Sequence, residues 1–167
     1  MKVLVVFDTK YGATAEIANR IGDGIRLSGA SVTTTHAKVS PPPDDFDGVV
    51  IGSAVYIGGW RRHAKKYLLT HANNLSQKKV WLFSSGPTGK GNPVELLKGW
   101  TFPENLKLAL NTIKPVETAV FHGAVFTEKL NFIDRWLAGK VKSPIGDYRD
   151  WEAIDAFATR IGTGGSL

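Results

Sequence analysis

The stretch Asp8-Thr9-Lys10-Tyr11-Gly12-Ala13-Thr14 joins an apolar run to a helical pattern, and its residue types suit an anion. Hydroxyls at Thr9 and Thr14 flank a glycine that lets the backbone approach a ligand closely. Successive N–H groups at a helix N-terminus, where the dipole favours negative charge, make a phosphate site. The same residues also fit an ordinary turn with a threonine cap, so this stretch alone leaves both readings open. Two further stretches follow apolar runs. One carries Ala54, Val55, Tyr56, Ile57 and Gly58, with Trp60 close behind; the other carries Ser85, Gly86, Pro87, Thr88 and Gly89. If the three meet, they suit a flat aromatic ring with a terminal phosphate, held between backbone walls.

Whether they meet depends on the elements that carry them. Residues 2–7 form a continuous apolar run, as expected of a parallel strand buried on both faces. Over 13–28, Ile17, Ile21 and Ile25 recur every four residues, and Gly29 supplies a stop. Residues 31–37 alternate as a strand, the proline-rich 41–45 stretch interrupts, and 49–51 form a third strand. The pattern predicts a helix over 62–72, a strand over 79–83, a helix over 105–113, a strand over 119–125 and a last helix over 150–161. Such alternation predicts an α/β protein: a doubly wound five-stranded parallel sheet, order 2-1-3-4-5, with helices on both faces. Its switch point lies between strands one and three, where ligands bind outside the C-terminal strand ends. All three stretches would lie there.

Here the chain resembles the flavodoxins, through the T-x-x-G-x-T pattern of Thr9, Gly12 and Thr14 and the two loops behind it. More closely, it is similar to flavodoxin-like proteins related to menaquinone-dependent protoporphyrinogen IX dehydrogenase. That match rests on Val50-Ile51-Gly52-Ser53-Ala54-Val55-Tyr56 followed by Gly58, a basic insertion after strand five, and Asp150-Trp151-Glu152. The resemblance implies FMN, bound by Thr9, Lys10, Tyr11, Gly12, Ala13 and Thr14, by Ala54 to Gly58, and by Ser85 to Gly89. It implies an oxidoreductase of haem biosynthesis that passes reducing equivalents between an organic substrate, such as protoporphyrinogen IX, and a quinone-type acceptor. The alternative is a flavodoxin-type electron carrier without enzymatic activity. Two departures weigh against the carrier: the chain is basic where such carriers are acidic, and its third loop offers Lys90 in place of acids and a stacking tyrosine.

The 167 residues fit one flavodoxin-like domain over 1–161, with an insertion at 126–148 and a frayed tail at 162–167. Composition is that of a soluble globular protein, 43% hydrophobic and 22% charged. Without cysteine, disulfides, thiolate metal sites and cysteine nucleophiles are excluded. The net charge of +6 is carried by scattered residues without a nucleic-acid motif, so no nucleic-acid partner is expected. No Walker loop, dinucleotide fingerprint or nucleophile elbow is present. His63 and His71 would lie about 12 Å apart along a helix, too far to share a metal, and His36 and His122 sit in strand patterns as structural residues.

Within the insertion, Leu130, Phe132, Ile133, Trp136, Leu137 and Val141 form an apolar stripe flanked by Lys129, Arg135, Lys140 and Lys142. Either this stripe packs on the sheet edge or on the 86–103 segment, or part of it stays exposed and meets a membrane surface or a large apolar substrate. The expected location is cytoplasmic, with peripheral contact at the inner membrane face under the second reading.

Overall fold

A computed structural model describes residues 1–141 and 144–164, with the side chains of 137–141 outside the description. In chain order the elements are β1 (Lys2–Asp8), α1 (Ala13–Leu27), β2 (Ser31–His36), β3 (Gly48–Tyr56), β4 (Gly59–Trp60), α2 (Arg62–Thr70) and α3 (Ala72–Leu75). They continue with β5 (Lys79–Ser85), α4 (Pro93–Leu96), α5 (Lys107–Ile113), β6 (Glu117–Phe121), β7 (Ala124–Val125), α6 (Phe132–Val141), β8 (Gly146–Asp147) and α7 (Trp151–Gly162). The parallel strands run in the order β2-β1-β3-β5-β6, the order expected from the alternation.

Side chains of successive strand residues point to opposite faces, and both faces are apolar. On one, Leu4, Val6, Val49, Ile51 and Leu82 pack with Ala64 and Leu68 of α2, Leu75 of α3 and Ile113 of α5. On the other, Val3, Val5, Val50, Trp81 and Phe83 pack with Ile17, Ile21 and Ile25 of α1 and Ile154, Phe157 and Ile161 of α7. Gly52 accommodates Phe83: a Cβ there would lie 2.0 Å from the ring.

Several elements differ from the pattern-based expectation. β3 does not stop at Ile51; the small residues Gly52, Ser53 and Ala54 keep pairing, with Phe83, Ser84 and Ser85, and the strand then turns back as β4. The expected 119–125 strand leaves the sheet at Phe121. Gly123 lies against Gly86, its N–H donates to the Pro87 carbonyl at 2.9 Å, and β7 instead pairs antiparallel with β8. The expected 62–72 helix ends at Thr70, with α3 following, and the 105–113 helix begins as a single tight turn over Glu104–Leu106. A short helix, Pro93–Leu96, lies within the 86–103 segment and is started by Asn92, whose side chain accepts from the N–H of Val94 at 2.8 Å. Of the 162–167 tail, Gly162 closes α7 and residues 165–167 lie outside the described residues.

Candidate functional site

Register places the three loops side by side. Asp8 at the end of β1 pairs with Ser53, Ser53 pairs with Ser84, and Ala54 pairs with Ser85, so the loops leave the same sheet edge as neighbours.

The first loop turns through Gly12, at φ +97°, directly into α1. The Thr9 hydroxyl accepts from the Gly12 N–H at 3.0 Å and holds the turn. Among the described residues no side chain caps α1, so the first N–H groups of this helix have no such partner. A Cβ on Gly12 would meet nothing within 4 Å, so the helix mouth is open. Thr14 is buried in the first turn, while Lys10, Tyr11 and Ala13 are half-buried around it.

The second loop is a two-residue hairpin, with Val55 opposite Trp60 and Tyr56 opposite Gly59. Its corner residues are Ile57, at φ +49°, and Gly58, at φ +70°. Positive φ at both corners gives the primed turn that matches strand twist, for which Asn-Gly is favoured. A β-branched residue there is strained, and Ile57 is 81% exposed. Trp60 is not part of the opening: it is buried against Phe102, and its indole N–H donates to the Ser84 hydroxyl at 2.8 Å.

The third loop follows Ser85. The Ser84 hydroxyl donates to the Thr101 carbonyl at 3.1 Å, and the Gly86 N–H donates to the Phe121 carbonyl at 3.2 Å. The ring of His122 is buried between two carbonyls, with Nε2 2.8 Å from Gly91 O and Nδ1 3.3 Å from Pro87 O, so it shapes this loop from below. Gly86 lies against Val55, where a Cβ would approach to 2.9 Å, and the second and third loops therefore touch.

One carboxylate, Asp8, braces the edge from beneath. It is 1% exposed and accepts from the N–H of His63 at 2.9 Å and from Arg61 Nε at 3.1 Å, with His36 Nε2 at 3.3 Å. Asp8 thus caps the start of α2 and ties it to β1.

A second carboxylate, from the insertion, was not legible in the sequence. Asp134 on the first turn of α6 is buried, and its oxygens accept from the hydroxyls of Tyr11 and Tyr56. Lys10 Nζ lies 2.5 Å from the same carboxylate and 3.4 Å above the Tyr56 ring. Burial opposes the Asp134 charge, but hydrogen bonds from Lys10, Tyr11 and Tyr56 outweigh it and hold the carboxyl at about 2. For Lys10, burial is likewise opposed and outweighed by Asp134, and its pKa is raised. Burial and Asp134 together raise the Tyr11 phenol. The sequence signal for Asp134 was a single acid on an apolar helix, three residues after Asn131, whose side chain accepts from its N–H at 2.8 Å.

Of the insertion's apolar stripe, Phe132 is 86% and Ile133 66% exposed, so these two do not pack on the sheet edge. Leu137, Lys140 and Val141 have side chains outside the described residues, as does Lys142 entirely. Among the described residues no His, Asp or Glu cluster is arranged to hold a metal ion, and no helix is long and apolar enough to cross a membrane.

Comparison with known proteins agrees with this architecture. The chain is 25% identical to protoporphyrinogen IX dehydrogenase [quinone] of Escherichia coli K12, over 96% of this chain and 94% of that protein. In structure it is similar to a flavodoxin 1 from Bacillus cereus, with a TM-score of 0.62 and 15% identity, covering 99% of this chain and 100% of that one. It is similar also to a short-chain flavodoxin associated with a bacterial microcompartment, with a TM-score of 0.64 and 15% identity, covering 99% of each chain. The family model described as "Flavodoxin domain" matches residues 4–151. With that span matched and the sheet order in place, the chain belongs to the flavodoxin-domain family.

Proposed function

We propose that this protein binds FMN at the edge formed by the three loops and acts as an oxidoreductase between an organic substrate and a quinone-type acceptor. The observation that carries the reading is the open, uncapped N-terminus of α1 beside two touching loops at the switch point of the sheet. A phosphate fits the α1 mouth, where Gly12 leaves room and the amides of Ala13 and Thr14 join the Thr9 and Thr14 hydroxyls. In this reading the isoalloxazine ring would lie against the Ala54–Gly58 and Ser85–Gly89 segments, and Tyr56, Val55, Ile57, Pro87 and Thr88 would supply the walls. Bound there, the flavin would supply the redox chemistry; this chain's residues bind it, orient it and exclude water.

Protoporphyrinogen IX is the substrate we infer, by analogy with the Escherichia coli relative, whose name gives both that substrate and a quinone. The same analogy extends the reading to haem biosynthesis in the cytoplasm. An electron carrier is the second reading, favoured by the similarity in fold to flavodoxins. The net charge of +6 and the exposed Phe132 and Ile133, with Lys129 and Arg135 on the same segment, favour a membrane-facing enzyme.

The experiment is to reduce the purified FMN-loaded protein anaerobically, confirm reoxidation by a menaquinone analogue, and then mix oxidised protein with protoporphyrinogen and that analogue. Porphyrin fluorescence that rises in proportion to protein supports the enzyme. A protein that exchanges electrons with the quinone but leaves protoporphyrinogen untouched refutes this substrate. Co-sedimentation with anionic vesicles, reduced at high salt and in a Lys129→Glu/Arg135→Glu variant, supports the membrane contact; no sedimentation at any salt refutes it.

A further inference from the structure

We propose that Asp134 is a positioning residue: it pins the insertion onto the first and second loops, so that the insertion and bound cofactor stabilise one another. This rests on the FMN reading above and adds to it a residue outside all three loops.

The geometry is that of a clasp. Asn131 caps α6 and fixes its first turn, where Asp134 projects. Phe132 and Ile133 on the same turn face outward, whereas Asp134 is buried and reaches the first and second loops. Its three donors come from two loops: Lys10 and Tyr11 immediately precede Gly12, and Tyr56 immediately precedes the strained Ile57-Gly58 corner. One carboxylate therefore fixes the distance between the turn at the α1 mouth and the corner of the hairpin.

The insertion is held at its base as well. β7 and β8 pair there, and Arg149 beyond β8 reaches Glu16 of α1 at 2.6 Å and Asp147 at 2.5 Å. Pro144, near the insertion's end, faces the third loop, where a Cβ on Gly89 would lie 3.8 Å away. With the base fixed, the Asp134 contacts tie the first turn of α6 to the two loops. The pairing also neutralises Lys10, leaving the α1 amides and the threonine hydroxyls to meet the phosphate. Since a ligand that binds one arrangement of two stabilises it, and the coupling is reciprocal, cofactor should order the insertion as the clasp slows cofactor loss.

The test compares the full-length wild type with Asp134→Ala and Asp134→Asn, with and without FMN. The readouts are hydrogen exchange over residues 126–136, the FMN dissociation rate, and the visible circular-dichroism band of bound flavin. FMN should slow exchange in the wild type. In Asp134→Ala, FMN should leave about ten- to a hundredfold faster, within the usual range of coupling between two sites. The flavin band should change shape as well. Asp134→Asn, which keeps an acceptor for the tyrosines but not the charge, should fall between the two. Tyr11→Phe/Tyr56→Phe leaves the Lys10 pair in place; it too should release FMN faster, and it provides the comparison if Asp134→Ala does not fold.

Unchanged FMN release and an unchanged flavin band in Asp134→Ala would overturn the proposal, even if the insertion exchanged faster, because the clasp would then be structural alone. Equal exchange over 126–136 in the cofactor-free wild type and Asp134→Asn would overturn the clasp itself. A wild type that takes up no FMN overturns the functional reading, and the cofactor-free comparison still decides whether Asp134 holds the insertion.

Discussion

Replacing Ile57 by Asn should make the cofactor-free protein more stable while weakening its hold on FMN. Ile57 and Gly58 form the two corners of the hairpin between β3 and β4, at φ +49° and +70°. For an ordinary L-residue the left-handed region costs roughly 1–2 kcal/mol, because Cβ crowds the following carbonyl. A β-branched side chain is at the upper end of that range, whereas Asn tolerates the region by bonding its own backbone. Ile57 is 81% exposed, so the substitution forfeits little burial. The net gain is about 1 kcal/mol, or roughly 2–4 °C in Tm for a domain of this size. Urea titration of the cofactor-free variants measures it, provided the m-value is unchanged. Ile57→Gly separates conformation from side-chain chemistry: it also relieves the strain but adds freedom to the unfolded chain, so its gain should be smaller. Because Ile57 also supplies an apolar wall for the flavin in the proposed site, both variants should bind FMN more weakly despite their greater stability. A loss of stability in both variants would refute the strain argument, and unchanged FMN affinity would remove Ile57 from the ring contact.

Asp8→Ala should cost about 3–5 kcal/mol in urea unfolding, because it strands Arg61 and the uncapped start of α2, whereas Asp8→Asn, which still accepts from the His63 N–H, should cost less. The Asp134 carboxyl sits at about 2, below its ordinary value of 3.8, so its contribution is fully present above pH 4 and is lost as pH falls toward 2. Protection against hydrogen exchange over 126–136, corrected for the pH dependence of intrinsic amide exchange, should therefore fall across that window in the wild type and hardly change in Asp134→Asn. The third loop contributes Lys90 and no acid, and Asp134 is paired with Lys10, so little net negative charge opposes full reduction of the flavin. Spectroelectrochemistry should accordingly find the two one-electron midpoints close together; a wide separation would favour the electron-carrier reading.

The sheet was legible because its signals are local. The apolar runs that became β1, β3 and β5 are buried on both faces, and the four-residue spacing of Ile17, Ile21 and Ile25 is the stripe that α1 lays on the sheet. Strand ends were less legible. Gly52, Ser53 and Ala54 look like the start of a loop, yet they pair with Phe83, Ser84 and Ser85, and Gly52 leaves the room that the Phe83 ring needs. Phe121 to Val125 looks continuous, yet the contact of Gly123 with Gly86 diverts it, a constraint set by a residue 37 positions away. Trp60 follows Tyr56 closely in sequence, but the hairpin turns it inward to Ser84 and away from the loop. Asp134 was the largest omission. Its three partners lie 78 to 124 residues away, and no periodicity within α6 could reveal that an acid on an apolar stripe meets two tyrosines and a lysine.

The central claim, that the Thr9 to Thr14 turn holds the phosphate of FMN, is tested most directly by calorimetric titration of cofactor-free wild type, Thr14→Ser and Thr14→Ala with FMN and with riboflavin. Thr14 is buried in the first turn of α1, and Thr14→Ser keeps its hydroxyl. A hydrogen bond to a charged phosphate is worth about 1.5–3 kcal/mol, so Thr14→Ala should bind FMN about ten- to a hundredfold more weakly, with Thr14→Ser close to wild type. Riboflavin, which lacks the phosphate, should bind all three proteins alike. FMN affinity unchanged in Thr14→Ala, or an equal loss for FMN and riboflavin, would contradict the phosphate assignment and leave Thr14 as a buried helix residue.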